Sequence, residues 1–144
     1  MLSRMSSLTI GGCVGIALAL SACGGGGGAS ADARTLIDTS YVVQTITVEG
    51  AEREVLEPVA ISFTAQGIGV ATPCNPLSGP VTYEGPTLTV GPLVSTKMGC
   101  EPALMEQDQV LAQALEGTPQ WSVTDGQLTL TGGGTVIVGQ ALQP

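Results

Sequence analysis

Four cysteines, Cys13, Cys23, Cys74 and Cys100, are the residues of this chain with the widest choice of chemistry. A thiolate can act as nucleophile, metal ligand, redox centre or acyl acceptor. The other half of most such sites is missing, because the sequence contains no histidine. That excludes Ser-His-Asp and Cys-His catalysis, imidazole metal sites and histidine pH switches. A metal held by Cys74 and Cys100 needs two further ligands from elsewhere. Glu52, Glu54 and Glu57 crowd one short stretch with Arg53. Paired carboxylates can do acid/base work, but Val55-Leu56 is the only apolar company there that could raise a pKa. A solvated loop is the simpler reading. Gly24 to Gly28 is a run of five glycines. No strand precedes it and no helix start follows, so it is a tether and not a phosphate loop.

The cysteines divide by position. Residues 1–23 read MLSRMSSLTIGGCVGIALALSAC. Arg4 supplies a positive start, Leu8 to Leu20 an apolar stretch too short to span a bilayer comfortably, and Leu20-Ser21-Ala22-Cys23 the close. This ending resembles a bacterial lipobox, which implies cleavage before Cys23 and acylation of its sulfur. Residues 1–22 are then a lipoprotein signal peptide, 23–36 the acylated cysteine with a glycine-rich tether, and 37–144 the domain. The tether reaches roughly 20 Å. Gly24, where an aspartate would signal inner-membrane retention in some bacteria, leaves the choice of membrane open. The expected location is the cell envelope, on the extracytoplasmic side, with the membrane as partner through Cys23.

With Cys13 removed and Cys23 lipidated, Cys74 and Cys100 have only each other. An exported domain sits where disulfides persist, so a Cys74–Cys100 bridge is expected. It closes 100 − 74 = 26 positions, worth about 3.5 kcal/mol by chain entropy. Two buried free thiols are the alternative. A bridge would remove the last plausible nucleophile.

Charge narrows the partners. Four basic residues face twelve acids, for a net charge of −8, and Lys97 is the sole lysine. No basic cluster exists to hold nucleic acid or anionic lipid. No cofactor motif is visible.

The elements that position these residues are mostly strands. The 21 glycines and 9 prolines demand many turns, while aromatics amount to Tyr41, Phe63, Tyr83 and Trp121. The core must therefore be aliphatic. Tyr41–Val48 is rich in β-branched residues. Val59, Ile61 and Phe63 alternate with smaller residues. Ile68–Thr72 delivers Cys74, and Ser78-Gly79 is expected to turn the chain. Val81–Tyr83 and Leu88–Val90 form a hairpin in one of two registers: Tyr83 opposite Leu88, or Val81 opposite Leu88. Pro102 to Glu116 is the one helix, with Ala103/Leu104, Val110/Leu111 and Ala114/Leu115 as its apolar stripe. Glu106, Gln107, Asp108, Gln109 and Gln113 are expected outside that stripe. Asp125-Gly126 is a type I′ turn pair that sets Trp121 opposite Leu130 and Val123 opposite Leu128. Gly132-Gly133-Gly134 turns into a last strand at Val136–Val138. The expected fold is mainly β, with about eight strands and one packed helix.

Cys74-Asn75, Ser78-Gly79, Gly91-Pro92-Leu93 and Thr96-Lys97-Met98-Gly99-Cys100, followed by an acidic helix and Trp121…Leu128-Thr129-Leu130, resemble the META domain, the HslJ-like family of bacterial envelope proteins. The resemblance covers about residues 37–140. It implies an antiparallel, barrel-like sheet with a helix packed on it. Members are often lipoproteins, and some are associated with heat shock or antibiotic tolerance. It implies no catalytic residue. Tyr41 stands where the family usually has tryptophan. Pro76 and Leu77 stand where a basic and an aromatic residue often follow Cys-Asn. The expected function is a non-enzymatic, lipid-anchored envelope protein with a structural, stress-related or protein-binding role. A small-ligand carrier using the barrel interior is the alternative, and it needs an interior pocket above about 300 Å³.

Overall fold

The computed structural model describes residues 32–143. The expected signal peptide, the lipidation site Cys23 and nearly all of the glycine-rich tether lie outside the described residues. Among the described residues, ten strands and one helix follow a short 3-10 turn at Ala33–Thr35. The strands are β1 (Thr39–Val48), β2 (Ala51–Arg53), β3 (Ala60–Phe63), β4 (Gly67–Ala71), β5 (Leu77–Glu84), β6 (Thr87–Val90) and β7 (Val94–Ser95). After helix α1 (Pro102–Leu115) come β8 (Gln120–Thr124), β9 (Gln127–Gly132) and β10 (Thr135–Ala141). The fold is mainly β, as expected.

Eight of the strands close a barrel. The order β10-β9-β8-β6-β5-β4-β3-β1 returns on itself because β1 also pairs with β10, and every pairing is antiparallel. The two remaining strands are short additions, β2 on β1 and β7 on β5. Closure removes the free edges an open sheet would carry.

Turn chemistry sets the registers. Asp125 and Gly126 have φ of 52° and 75°, as a type I′ pair needs. Trp121 therefore faces Leu130 and Val123 faces Leu128. The β5–β6 hairpin takes the Gly85-Pro86 loop, with Tyr83 opposite Leu88 and Val81 opposite Val90. In β1 the pairing to β10 slips by one residue between Val43 and Thr45. This bulge puts Gln44 outside and lets Val43 and Ile46 both face in.

The interior is aliphatic. Ile46, Ile61, Leu88, Leu128, Leu130 and Ile137 are at most 2% exposed. Tyr41 and Phe63 meet edge to face with centroids 6.2 Å apart.

Each barrel end has its own cover. At one end β1 and β4 finish, β5 and β10 begin, and α1 packs there against β9 and β10. Leu111 and Leu115 are fully buried there. A side chain at Gly132 would fall on the Ala114 carbonyl, so glycine permits the close approach of helix to hairpin. At the other end the N-terminal turn folds over, with Leu36 fully buried and the Asp38 amide donating to the Phe63 carbonyl at 2.9 Å. The domain thus starts before Ile37, because Leu36 already belongs to the core.

Three expectations about local structure change. Ser78-Gly79 is not a turn but part of β5. Gly79 is there because Pro92 and Leu93 cross over it: a Cβ would sit 2.9 Å from Leu93 Cδ2. The loop expected at Gly50–Glu57 holds β2, paired with β1. On the helix, Gln107 and Asp108 are buried at 7% and 6% exposure, while Ala103 is exposed.

Candidate functional site

The two cysteines singled out by the sequence are joined. Cys74 and Cys100 form a disulfide with Cα atoms 6.1 Å apart. Cys74 follows β4 and is 3% exposed, whereas Cys100 is half-buried just before α1. The bridge links the end of a barrel strand to the start of the helix.

Asn75 completes the clamp. Its Oδ1 accepts from the Met98 amide at 2.7 Å and the Thr96 hydroxyl at 3.0 Å. Its Nδ2 donates to the Met98 carbonyl at 3.1 Å and lies 3.0 Å from Cys74 Sγ. The side-chain amide thus pairs with Met98 as a neighbouring strand would. The Asn75 backbone amide donates to buried Asp108 Oδ2 at 2.8 Å. Helix, bridge and loop are held at one point. All four orientations of the asparagine amide are used, which a residue of another type cannot reproduce.

What the clamp presents is a short apolar loop. Residues 94–99 are all exposed, with Val94 at 70% and Met98 at 63%. Lys97 stands between them. No acid lies between Glu84 and Glu101. Leu77, which stands where the family often has an aromatic residue, is a core residue at 6% exposure.

Beside the clamp, α1 meets the β1–β2 corner. Gln107 bonds both backbone groups of Leu56, at 2.7 Å and 3.0 Å. Arg53 reaches Glu106 at 3.1 Å, with both side chains more than half exposed. Such a pair is worth about 0–1 kcal/mol. A cleft of about 190 Å³ lies here, lined by Ile46, Leu56, Ala103 and Val110 among others. A second cleft of about 190 Å³ lies on the outer face of β8 and β9 beside Pro86. Both are smaller than ordinary ligand pockets, and neither is the barrel interior that a carrier would use. Glu52, Glu54 and Glu57 of the acid cluster are all exposed, as a solvated stretch requires. Among the described residues no group of three or more metal-ligating side chains gathers. No described helix is long and apolar enough to cross a membrane.

Sequence reasoning missed Gln107 and Asp108. The signal was present: with Leu104, Leu111 and Leu115 they follow the helical spacing of the buried stripe, and their polarity hid it.

Known proteins place the fold. The META domain family model matches residues 34–143. An NMR structure of a protein from Burkholderia xenovorans is similar over 100% of both chains, at 16% identity and a TM-score of 0.66. A second NMR structure is similar over 74% of this chain and 92% of its own, at 27% identity and a TM-score of 0.60. Comparison with curated proteins returns no match. The family match spans the whole barrel and includes the Cys74–Cys100 clamp, and the chain belongs to the META domain family.

Proposed function

We propose that this protein is a lipid-anchored component of the bacterial cell envelope whose META domain acts as a non-enzymatic binding module. The observation that carries the binding role is the clamped loop. A disulfide and a fully engaged asparagine fix a loop whose two large apolar side chains face solvent. Prior fixing lowers the entropy cost of binding. The matching partner is a protein surface with an apolar notch and a carboxylate for Lys97. The lipobox-like Leu20-Ser21-Ala22-Cys23 supports the anchor. The described chain enters at the barrel end opposite α1, so the loop lies at the end away from the tether's attachment. The non-enzymatic reading rests on the lack of histidine and the oxidised cysteines.

Two measurements test this. Palmitate should label the wild type and not Cys23→Ser; equal labelling rejects the anchor. Mass spectrometry of proteins co-purified with the acylated protein should show a partner lost from Lys97→Glu/Met98→Ser. An unchanged set of partners rejects the loop.

A further inference from the structure

We propose that the Cys74–Cys100 bridge is a thiol–disulfide exchange site for a dithiol protein, polarised so that the Cys100 sulfur is the one attacked. Access sets the direction. Cys74 is 3% exposed and Cys100 is half-buried, so Cys100 is the more accessible end of the bridge. The departing sulfur, Cys74 Sγ, is buried beside the Met98 carbonyl at 3.8 Å, and one donor is at hand to offset the cost of charging it there. Asn75 Nδ2 lies 3.0 Å from Cys74 Sγ, and a donor there stabilises a thiolate. Exchange runs faster when the departing thiol is the more acidic one.

One thiolate of the dithiol forms a bond to Cys100 Sγ, and the Cys74–Cys100 bond breaks. Cys74 leaves as thiolate and takes a proton from water. The second thiol of the partner loses its proton, attacks the mixed disulfide and releases Cys100, which is protonated in turn. The bridge gains two electrons and two protons, and the partner dithiol becomes a disulfide. Exposed Met98, two residues from Cys100, offers the partner an apolar contact.

The barrel does not depend on the bridge for closure, because its eight strands pair around the full circle. Reduction therefore removes one tie on the segment between β6 and α1 and leaves it held by Asn75 and by the pairing of β7 with β5. The exchange chemistry does not depend on what the loop binds.

The probe is reduced glutathione, added to the folded full-length chain, with acid quenching and alkylation. Trypsin cuts after Arg4, Arg34, Arg53 and Lys97, so Cys74 falls on peptide 54–97 and Cys100 on peptide 98–144. The expected result is glutathione on Cys100 at least tenfold over Cys74, with the β-sheet circular dichroism signal intact. Asn75→Asp keeps an acceptor for Met98 but removes the donor to Cys74, and should slow exchange several-fold. If Asn75 were only a latch, the same change would speed it. Adduct on Cys74, an even split, no exchange while the sheet persists, or faster exchange in Asn75→Asp each overturns the proposal. The wild-type peptide assignment decides even if the variant does not fold.

Discussion

Gln107 grips both polar groups of the Leu56 backbone: the Leu56 amide donates to Oε1 at 2.7 Å, and Nε2 donates to the Leu56 carbonyl at 3.0 Å. A buried helix side chain thereby stands in for the strand that the segment after β2 lacks. Gln107→Leu keeps the volume and orphans both groups. It should cost about 1–3 kcal/mol in urea denaturation. Arg53→Ala, which removes only the exposed ion pair nearby, should cost less than about 1 kcal/mol.

The helix also covers the barrel end with Leu111, which is fully buried, while Gln113 two positions on is exposed. Leu111→Ala should cost about 2–5 kcal/mol. Gln113→Ala should leave the denaturation midpoint where it was. Equal midpoints for the two variants would mean that the stripe faces water.

Asn75→Ala should unpin the clamped loop. Lys97 is the chain's sole lysine, so a lysine-specific protease reads this loop alone. Cleavage tracks the population of the open form. If the opening becomes easier by about 1.4 kcal/mol, cleavage rises about tenfold. Cleavage at the wild-type rate would show that the disulfide alone holds the loop.

The parts of the fold that were legible in the sequence are those fixed by local chemistry. Asp125-Gly126 determines the pairing of Trp121 with Leu130, and the β-branched run determines β1. What escaped depends on distant partners. The three residues of β2 are all exposed, so no hydrophobic pattern marks them. Ser78-Gly79 carries turn composition, yet its glycine answers to Pro92 and Leu93 crossing above it. Gln107 and Asp108 are polar at buried positions because Leu56 and Asn75 bring backbone groups to them. The cysteine pair was legible by elimination, whereas the five contacts of Asn75 require the third dimension.

The N-terminal turn predicts an alkaline transition. Tyr41 OH donates to the Thr35 carbonyl at 3.0 Å and ties the turn to β1. Burial raises the Tyr41 pKa above its ordinary value of 10.0. Tyr83, whose hydroxyl donates to the Thr64 carbonyl at the same barrel end, is raised by burial and then by the negative charge of Asp38. In both cases the folded state prefers the neutral phenol and binds protons more tightly than the unfolded chain. The stabilisation is therefore complete below pH 10 and is lost as pH rises through the folded-state values. Denaturation midpoints should stay level up to about pH 10 and fall above it. Tyr41→Phe should lower stability at neutral pH by about 0.5–1.5 kcal/mol, the worth of one hydrogen bond. It should also flatten the alkaline fall, because phenylalanine has no proton to lose. Tyr41→Phe/Tyr83→Phe should remove more of the fall than either single change. If the double variant fell as steeply as the wild type above pH 10, the alkaline loss would belong to other groups and the two phenols would have no part in it.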